Sequence, residues 1–359
     1  MNTLYAKLKI TKNKNSEAEI EGEIPIEILE EHTATVLSRL RADFELPGFR
    51  RGQVPEAMVK KNVGEAYLLE EAAELALDEA YPAIVQEEKL PVLGHPHVTI
   101  TKLALGNPVE FKIRVGIVPE IQLPNYKKIG KTIGSKTEPV EVTDKDVDEA
   151  IAELLRLRPK DTNQKEGEAP PPAGGPEFTD EYVKTLGNFK DVADFKVQLK
   201  ENLREEKKSR AKAERREAIA KKLVEETKLV VPEILIEEEM EVMKGRRLEE
   251  VKHLNLSMED YLKQINKTED VLVKEERTYI ERQFKTRFIF GKIAEAEKIT
   301  ADPKDIEREL QYLVRRYPDA DMESLRRYTE DVLINEKVLS LLEGTNEKPH
   351  EPTNTAGTL

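Results

Sequence analysis

The segment with the most distinctive chemistry is a loop near the N-terminal end of the chain. Its sequence from Leu46 to Pro55 is LPGFRRGQVP, in which Gly and Pro favour a tight turn. Residues 48–61 contain four basic residues and one acidic residue, a local charge of +3. An aromatic side chain beside two guanidinium groups suits a phosphate-rich or acidic partner. An ordinary solvated turn is the alternative interpretation.

Other residue types that often carry chemistry give weaker signals. His95 and His97 have the spacing of two metal ligands on one face of a strand. Without cysteine or a neighbouring carboxylate cluster, a loop before a strand is the better interpretation. No Ser–His–Asp set can be assembled by spacing, and no phosphate-binding loop of the GxxxxGK[ST] type occurs. We therefore predict no catalytic residue, no metal site and no cofactor.

Composition limits the class of protein. The chain has 359 residues, a net charge of −13, 36% charged residues and no cysteine. This charged fraction exceeds the ~25% of an average soluble domain and favours long, solvated helices. The absence of cysteine excludes disulfides and thiolate nucleophiles. No apolar run approaches the ~20 residues of a membrane helix, and the start lacks the pattern of a secretory signal, so we expect a soluble, cytoplasmic protein without a membrane partner.

The N-terminal part combines strand and helix periodicity. Apolar residues alternate in the first 24 residues, which predicts two strands, and they alternate again before and after the turn at Asn107-Pro108. Between these strands, helical spacing covers residues 28–40 and 65–88. Strands at both ends with helices between them predict a small α+β domain over residues 1–118.

The next segments differ in composition. Residues 119–140 contain three prolines and are predicted to be an extended interdomain connector. Thr143 and Asp146 then form a capping-box pattern that begins a helix. Residues 159–177 contain no Val, Ile, Leu, Met, Phe, Tyr or Trp. Such a segment cannot bury enough surface to offset its ordering entropy, so we predict a flexible linker.

From Thr179 to Gly344 the sequence gives helix signals only. Helix starts are predicted at Asp191, Pro232, Ser257, Thr268 and Asp302. The tail over residues 345–359 has no periodicity and is predicted to be disordered. The predicted fold class is thus an α+β N-terminal domain followed by an all-α domain of long helices in several arms over residues 141–344.

Four apolar stripes follow helical spacing in this C-terminal part. Most of their residues are predicted to form helix–helix core. Long charged helices nevertheless leave little volume to cover every stripe, and uncovered apolar patches bind unfolded chains with low specificity. The candidates for such contact are Met240, Met243, Phe284, Phe288, Leu310, Leu313, Tyr317 and Tyr328.

The loop sequence GFRRGQVP over residues 48–55 resembles the ribosome-docking loop of the trigger factor family, whose pattern is Gly-Phe-Arg-x-Gly-Lys-x-Pro. The order of strands and helices over residues 1–118 and the arrangement of residues 178–240 resemble the same family. The resemblance implies a ribosome-associated chaperone that meets nascent chains at the exit tunnel, beside an exit-tunnel protein and ribosomal RNA. The ribosome-binding residues that it implies are Gly48, Phe49, Arg50, Arg51, Gly52 and Pro55.

Two departures from the family pattern matter. Gln53 replaces the usual Lys, which removes one cation from the loop. The family usually has a prolyl-isomerase domain of the FK506-binding type where this chain has residues 159–177. We therefore predict an ATP-independent chaperone that is not an enzyme. The alternatives are a peptidyl-prolyl isomerase, as the family label suggests, and a ribosome-free holdase or assembly scaffold; a homodimer is also open.

Overall fold

The computed structural model describes residues 4–47, 49–134, 141–157, 178–318 and 320–344. The predicted linker over 159–177 and the predicted tail over 345–359 lie outside these residues. The chain groups into two compact units, each built from two segments that are distant in sequence. The first unit contains the residues up to Gln122 together with Thr227–Ile289, and the second contains Leu123–Glu226 together with the residues from Phe290 onward. The linear domain boundaries given above stay a prediction.

Four antiparallel strands form one sheet in the first unit. The strands are β1 Ala6–Lys12, β2 Glu17–Ile24, β3 Val92–Lys102 and β4 Val109–Ile117, in the order β1-β2-β4-β3. The central strand β2 alternates as predicted: Ala18, Ile20 and Ile24 are fully buried. On its other face, Glu19 and Glu21 pair with lysines of the neighbouring strands. This period of two gives the sheet one apolar face and one charged face.

The described residues form twelve helices. They are α1 Ile26–Asp43, α2 Glu56–Val63, α3 Glu65–Glu87, α4 Tyr126–Gly134, α5 Asp144–Leu157, α6 Asp180–Leu186, α7 Val192–Glu226, α8 Glu233–His253, α9 Met258–Gln264, α10 Glu269–Glu297, α11 Pro303–Arg316 and α12 Met322–Glu343. The predicted class, an α+β region followed by a mainly helical region, is confirmed. No helix among the described residues is both long and apolar enough to cross a membrane.

Helices α1 and α3 pack with the apolar face of the sheet into one core. Ala72, Ala73, Ala76 and Ala80 of α3 are all buried in it. Small side chains let helix backbones approach closely, so this alanine row brings α3 against its neighbours without large cavities. The core fixes the position of the loop that joins α1 to α2.

Helix α8 is attached to the sheet of the first unit. Pro232 occupies the N-cap position of this helix, and its side chain accepts no hydrogen bond from the first turn. The carboxylate of Glu17 on β2, itself only 6% exposed, accepts a hydrogen bond from the Ile234 backbone N–H at 3.1 Å. At Gly116, an added Cβ would lie 3.2 Å from the Pro232 Cβ. The sheet therefore supplies both the missing cap and the space for the first turn of α8.

The predicted extended connector is wrong for residues 126–134, which form helix α4 in the second unit. Ile129 of this helix is buried, and a Cβ added to Gly130 would lie 2.2 Å from the Leu342 carbonyl oxygen. Close packing against the backbone of α12 requires Gly130. The prolines that suggested an extended chain lie outside the helix, and tertiary packing decides the conformation of the short segment between them.

Predicted helix starts are confirmed at several caps. The Thr143 backbone N–H donates to Asp146 Oδ2 at 2.7 Å, and the Asp146 N–H donates to Thr143 Oγ1 at 3.3 Å. Ser257 and Asp302 accept from the first turns of α9 and α11. These are reciprocal or single side-chain caps between residues two or three positions apart, which sequence spacing reveals directly.

Candidate functional site

The loop between α1 and α2 is anchored by residues at its ends. Phe44 and Leu46 pack against the core as the loop leaves α1. Val54 and Val59, at the end of the loop and in α2, are both 0% exposed. The buried valines hold the loop and the start of α2 to the N-terminal core, so the loop tip projects from a fixed base.

The tip is a turn stabilised by its own backbone. The Phe49 N–H donates to the Leu46 carbonyl at 3.0 Å, and the Gln53 N–H donates to the Arg50 carbonyl at 2.9 Å. Gly52 has φ +76°, a left-handed conformation that glycine adopts without strain. The Phe49 side chain is 40% exposed, and that of Arg50 is also exposed. Gly48 lies outside the described residues, and Pro55 precedes the first turn of α2.

Ion pairing divides the charges near the loop into two groups. Arg51 Nη2 lies 2.5 Å from Asp43 Oδ1, and this hydrogen bond raises the pKa of the arginine. Arg41 pairs with Glu56 at 3.4 Å. Arg50 has no carboxylate partner among the described residues. The tip thus presents one exposed aromatic ring and one unpaired guanidinium, with the second guanidinium already bound by an aspartate.

Four of the predicted client-binding residues meet on α8 and α10. Met240, Met243, Phe284 and Phe288 are half-buried and pack against a cluster of Val231, Ile236 and Ile280. The two phenylalanine rings stack with their centroids 6.1 Å apart. These side chains belong partly to the core and partly to the surface, so the client-contact role of the same residues stays a prediction.

The other four candidates lie on α11, at its end and on α12. Leu310 is only 3% exposed, so its side chain belongs to the interior, and Leu313 is half-buried. Leu310 is therefore not available as a surface contact. By contrast, Tyr317 and Tyr328 are 44% and 46% exposed. The stripe predicted from helical spacing turns inward at Leu310 because α12 packs against α11 along that face.

Several apolar residues of α8, of α10 and of the segment between them are exposed at positions that the sequence did not single out. Val242 and Leu248 on α8, Leu254 after it, and Val271 and Tyr279 on α10 are all at least 44% exposed. They do not fall on the predicted stripes, and each stands among charged residues, so periodicity gave no signal. Single exposed apolar residues are common, but five on α8, α10 and the segment between them enlarge the apolar surface there.

The histidine pair takes part in contacts between the sheet and α8. The His95 backbone N–H donates to Glu238 Oε1 at 3.1 Å, and the His97 ring lies 3.4 Å from an Arg114 guanidinium nitrogen. Arg114 in turn pairs with Glu237. Across the parts of the chain that the structure describes, no cluster of three His, Cys, Asp or Glu residues could hold a metal ion. The contacts of both histidines suit a structural role.

Comparison with family models gives two matches. The model described as "Bacterial trigger factor protein (TF)" matches residues 6–154. The model described as "Bacterial trigger factor protein (TF) C-terminus" matches residues 191–342. The interval between the matches is shorter than the ~40 residues below which a segment rarely forms a core without disulfides or metals. The predicted absence of a middle isomerase domain is confirmed.

Curated relatives and a solved structure agree with these matches. A trigger factor of Moorella thermoacetica is 23% identical, and the alignment covers 98% of this chain and 97% of the relative. A trigger factor of Caldicellulosiruptor bescii is also 23% identical, over 90% of this chain and 91% of the relative. The first alignment runs over 441 positions, more than the 359 residues here, so that relative has residues without a counterpart in this chain.

One solved structure shares the fold. It is titled "Promiscuous Substrate Recognition in Folding and Assembly Activities of the Trigger Factor Chaperone". Its TM-score is 0.53 at 17% identity, with 94% of this chain and 99% of that chain covered.

Proposed function

This chain belongs to the trigger factor family, and on that premise we propose that it is an ATP-independent, ribosome-associated chaperone of the cytoplasm. The observation that carries the proposal is the loop tip, where Phe49 and Arg50 are exposed and project from a base held by buried valines; Arg50 has no carboxylate partner in the part of the chain that the structure describes. The tip carries the family's docking pattern except at Gln53. Its partner would be the surface around the exit tunnel, formed by protein and ribosomal RNA.

The docking role follows from the composition of the tip. Binding energy in protein interfaces concentrates in a few aromatic and arginine anchors, each worth about 2 kcal/mol or more. Phe49 can insert its ring into an apolar pocket while Arg50 contacts an anion beside it. Because Val54 and Val59 hold the loop, little conformational entropy is lost when the tip binds.

The client surface that we propose lies on the helices of the C-terminal half. The half-buried Met240, Met243, Phe284 and Phe288 form its floor, and the exposed apolar residues of α8 and α10 extend it. Tyr317 and Tyr328 form a second, smaller surface. Flexible methionines and scattered aromatic residues among charges accept many sequences weakly, which suits unfolded clients.

Release requires no nucleotide in this mechanism. An unfolded client offers apolar segments to α8 and α10, and these contacts keep the segments apart. As the client folds, it buries the same segments in its own core, so its affinity for the chaperone falls. We propose no enzymatic step. A proline-peptide isomerisation assay on the purified chain tests this point, and saturable turnover would contradict it.

Ribosome binding is tested by replacing Phe49, Arg50 and Arg51 together with Ala. The variant should lose co-sedimentation with ribosomes but still suppress aggregation of an unfolded client. Its stability should stay within about 1 kcal/mol of the wild type, because the Arg51–Asp43 ion pair that it removes is exposed. Replacing the exposed Lys12, the last residue of β1, and Lys14, in the turn that follows, with Ala is the control for loss of two positive charges.

Wild-type co-sedimentation by the triple variant would contradict the docking role and favour a ribosome-free scaffold. Loss of aggregation suppression in the same variant would contradict the separation of docking and client surfaces. Sedimentation velocity on the free protein tests the homodimer, which would appear as a concentration-dependent shift towards twice the 41.0 kDa chain mass.

A further inference from the structure

The cations near the docking loop are not equally available to a partner. Arg51 is engaged by Asp43 at 2.5 Å, and the family's lysine position is occupied by Gln53. Glu56, the acidic residue of the segment, pairs with Arg41. Among the described residues, the basic side chains of this segment without a carboxylate partner are those of Arg50, Lys60 and Lys61. Two of these three lie on α2 and not on the loop.

The geometry of α2 directs both lysines away from the core. Val59 is 0% exposed, and successive residues of an α-helix are rotated by about 100°. Lys60 therefore points to one side of the helix and Lys61 almost opposite Val59, and both side chains are exposed. The helix is short, is anchored at Val54 and Val59, and follows the docking loop directly.

We propose that Lys60 and Lys61 bind the phosphate backbone of ribosomal RNA beside the site of the loop, in place of the cation lost at Gln53. The inference rests on the proposed ribosome docking and adds a second contact to it. Lysine binds phosphate as a point charge without strict geometry, and two lysines that diverge on a helix can contact successive phosphates. In a chain of net charge −13, attraction to a polyanion must be local.

The type of basic group on α2 favours RNA phosphates over protein carboxylates as its partner. The tip holds the aromatic and guanidinium anchors that suit a protein pocket, whereas α2 offers two exposed ammonium groups without a carboxylate partner among the described residues. The two partners also differ physically. RNA carries condensed counterions that are released on binding, so each phosphate contact adds to the salt dependence of the affinity, and a protein carboxylate adds much less.

The test is the salt dependence of binding to purified large ribosomal subunits. The Lys60→Gln/Lys61→Gln variant should weaken binding and lower the slope of log Kd against log salt by about 1.4–1.8, from about 0.7–0.9 per phosphate. The ratio of variant to wild-type Kd should then fall about 7–12-fold between about 50 and 200 mM salt. Lys12→Gln/Lys14→Gln, with the same charge change at exposed positions at and just after the end of β1 in the same unit, should leave the slope unchanged.

Adding Gln53→Lys to the lysine double variant should restore about 0.7–0.9 of the slope, one phosphate contact. An unchanged slope in the double variant would overturn the proposal, whether or not affinity falls, since a fall alone would indicate protein carboxylates. If Gln53→Lys does not restore the slope, the lysines of α2 do not take the place of the cation that is absent at Gln53. If the double variant still binds ribosomes and loses this binding when Phe49, Arg50 and Arg51 are replaced, the proposed docking by the loop holds independently of the lysines.

Discussion

The proposed docking loop and the proposed client surface hold their candidate contact residues in opposite ways. In the loop, anchoring and contact belong to different residues: Val54 and Val59 are fully buried, whereas Phe49 is 40% exposed. On α8 and α10, the same residues do both, because Met240 and Phe284 pack against the core while part of each stays at the surface. A short loop can be fixed by buried residues at its ends. Residues at the edge of the contact between α8 and α10 are instead partly buried and partly exposed.

This difference predicts how each region responds to substitution. A contact residue of the loop can be removed with little effect on folding, since its base remains packed. A contact residue of the helical surface contributes to folding and binding together. Under the proposed function, the loop would concentrate recognition in a few residues, which suits one partner. The helices would spread recognition over many residues, which suits many partners.

The largest effect is expected at the floor of the helical surface. Ile280 is 1% exposed and central to the cluster beneath Phe284. Ile280→Ala should lower the free energy of unfolding by about 2–5 kcal/mol, measured by urea titration, because it leaves a cavity in packed core. Val271→Ala on the same helix, at an exposed position, is the control and should stay within about 0.5 kcal/mol. Equal effects from both would mean that the cluster is not a core.

A smaller combined effect is expected at the methionines. Met240→Ser with Met243→Ser should lower stability by about 1.5–3 kcal/mol, half of full burial for two side chains, and should also weaken client binding. Light scattering of an aggregating client measures the second effect. Met322→Ser, at a position 52% exposed, should change stability little. Wild-type stability with lost client binding would mean that these methionines lie wholly at the surface. The helical surface would then separate packing from contact, as the loop does.

The loop anchor should affect folding and ribosome binding together. Val59→Ala removes two buried methyl groups and should cost about 1.6 kcal/mol. Ribosome affinity should fall as well, because the base of the tip loosens. Met58→Ala, the neighbouring position at 42% exposure, should leave ribosome affinity nearly unchanged. Unchanged ribosome affinity in Val59→Ala would show that the tip does not depend on its anchor.

The smallest effect concerns the ion pair that joins the start of α8 to α10. Two hydrogen bonds of 2.7 and 2.6 Å from Arg277 lower the pKa of Glu233 below its ordinary value of 4.5. A carboxyl with a lowered folded-state pKa stabilises the fold above its ordinary pKa, and this contribution is lost as pH falls through the lowered value. Glu233→Gln should therefore cost less than about 1 kcal/mol near pH 7, since the pair is partly exposed.

The cost of Glu233→Gln should shrink below about pH 4.5, where the wild type also loses the interaction. Urea midpoints of wild type and variant across pH 3–7 measure this convergence. Glu241→Gln, which removes a well-exposed i,i+3 partner of Lys244, is the matched control and should show little pH dependence. A constant difference at all pH values would exclude ionisation of Glu233 as the cause.

Much of the fold was predictable because its signals are local. The strands follow a period of two, and the capping box of Thr143 and Asp146 lies within one helical turn. The docking loop was recognisable for the same reason, since its glycines, prolines and arginines are contiguous. The connector was mispredicted because its prolines suggested an extended chain, although Tyr126, Ile129 and Ile133 have helical spacing. The close packing of Gly130 against Leu342, more than 200 residues away, has no signal in the local sequence.

By itself, the sequence determined the class of fold, most helix starts, the docking loop and the lack of room for an isomerase domain, because each depends on neighbours a few positions apart or on composition. Only the tertiary structure decided which groups remain available. It paired Arg51 with Asp43, buried Leu310 while leaving Tyr317 exposed, and set Glu17 as the cap of a helix 217 positions away. Burial and ion pairing depend on distances in space, and residue spacing along a chain fixes those distances only within one element.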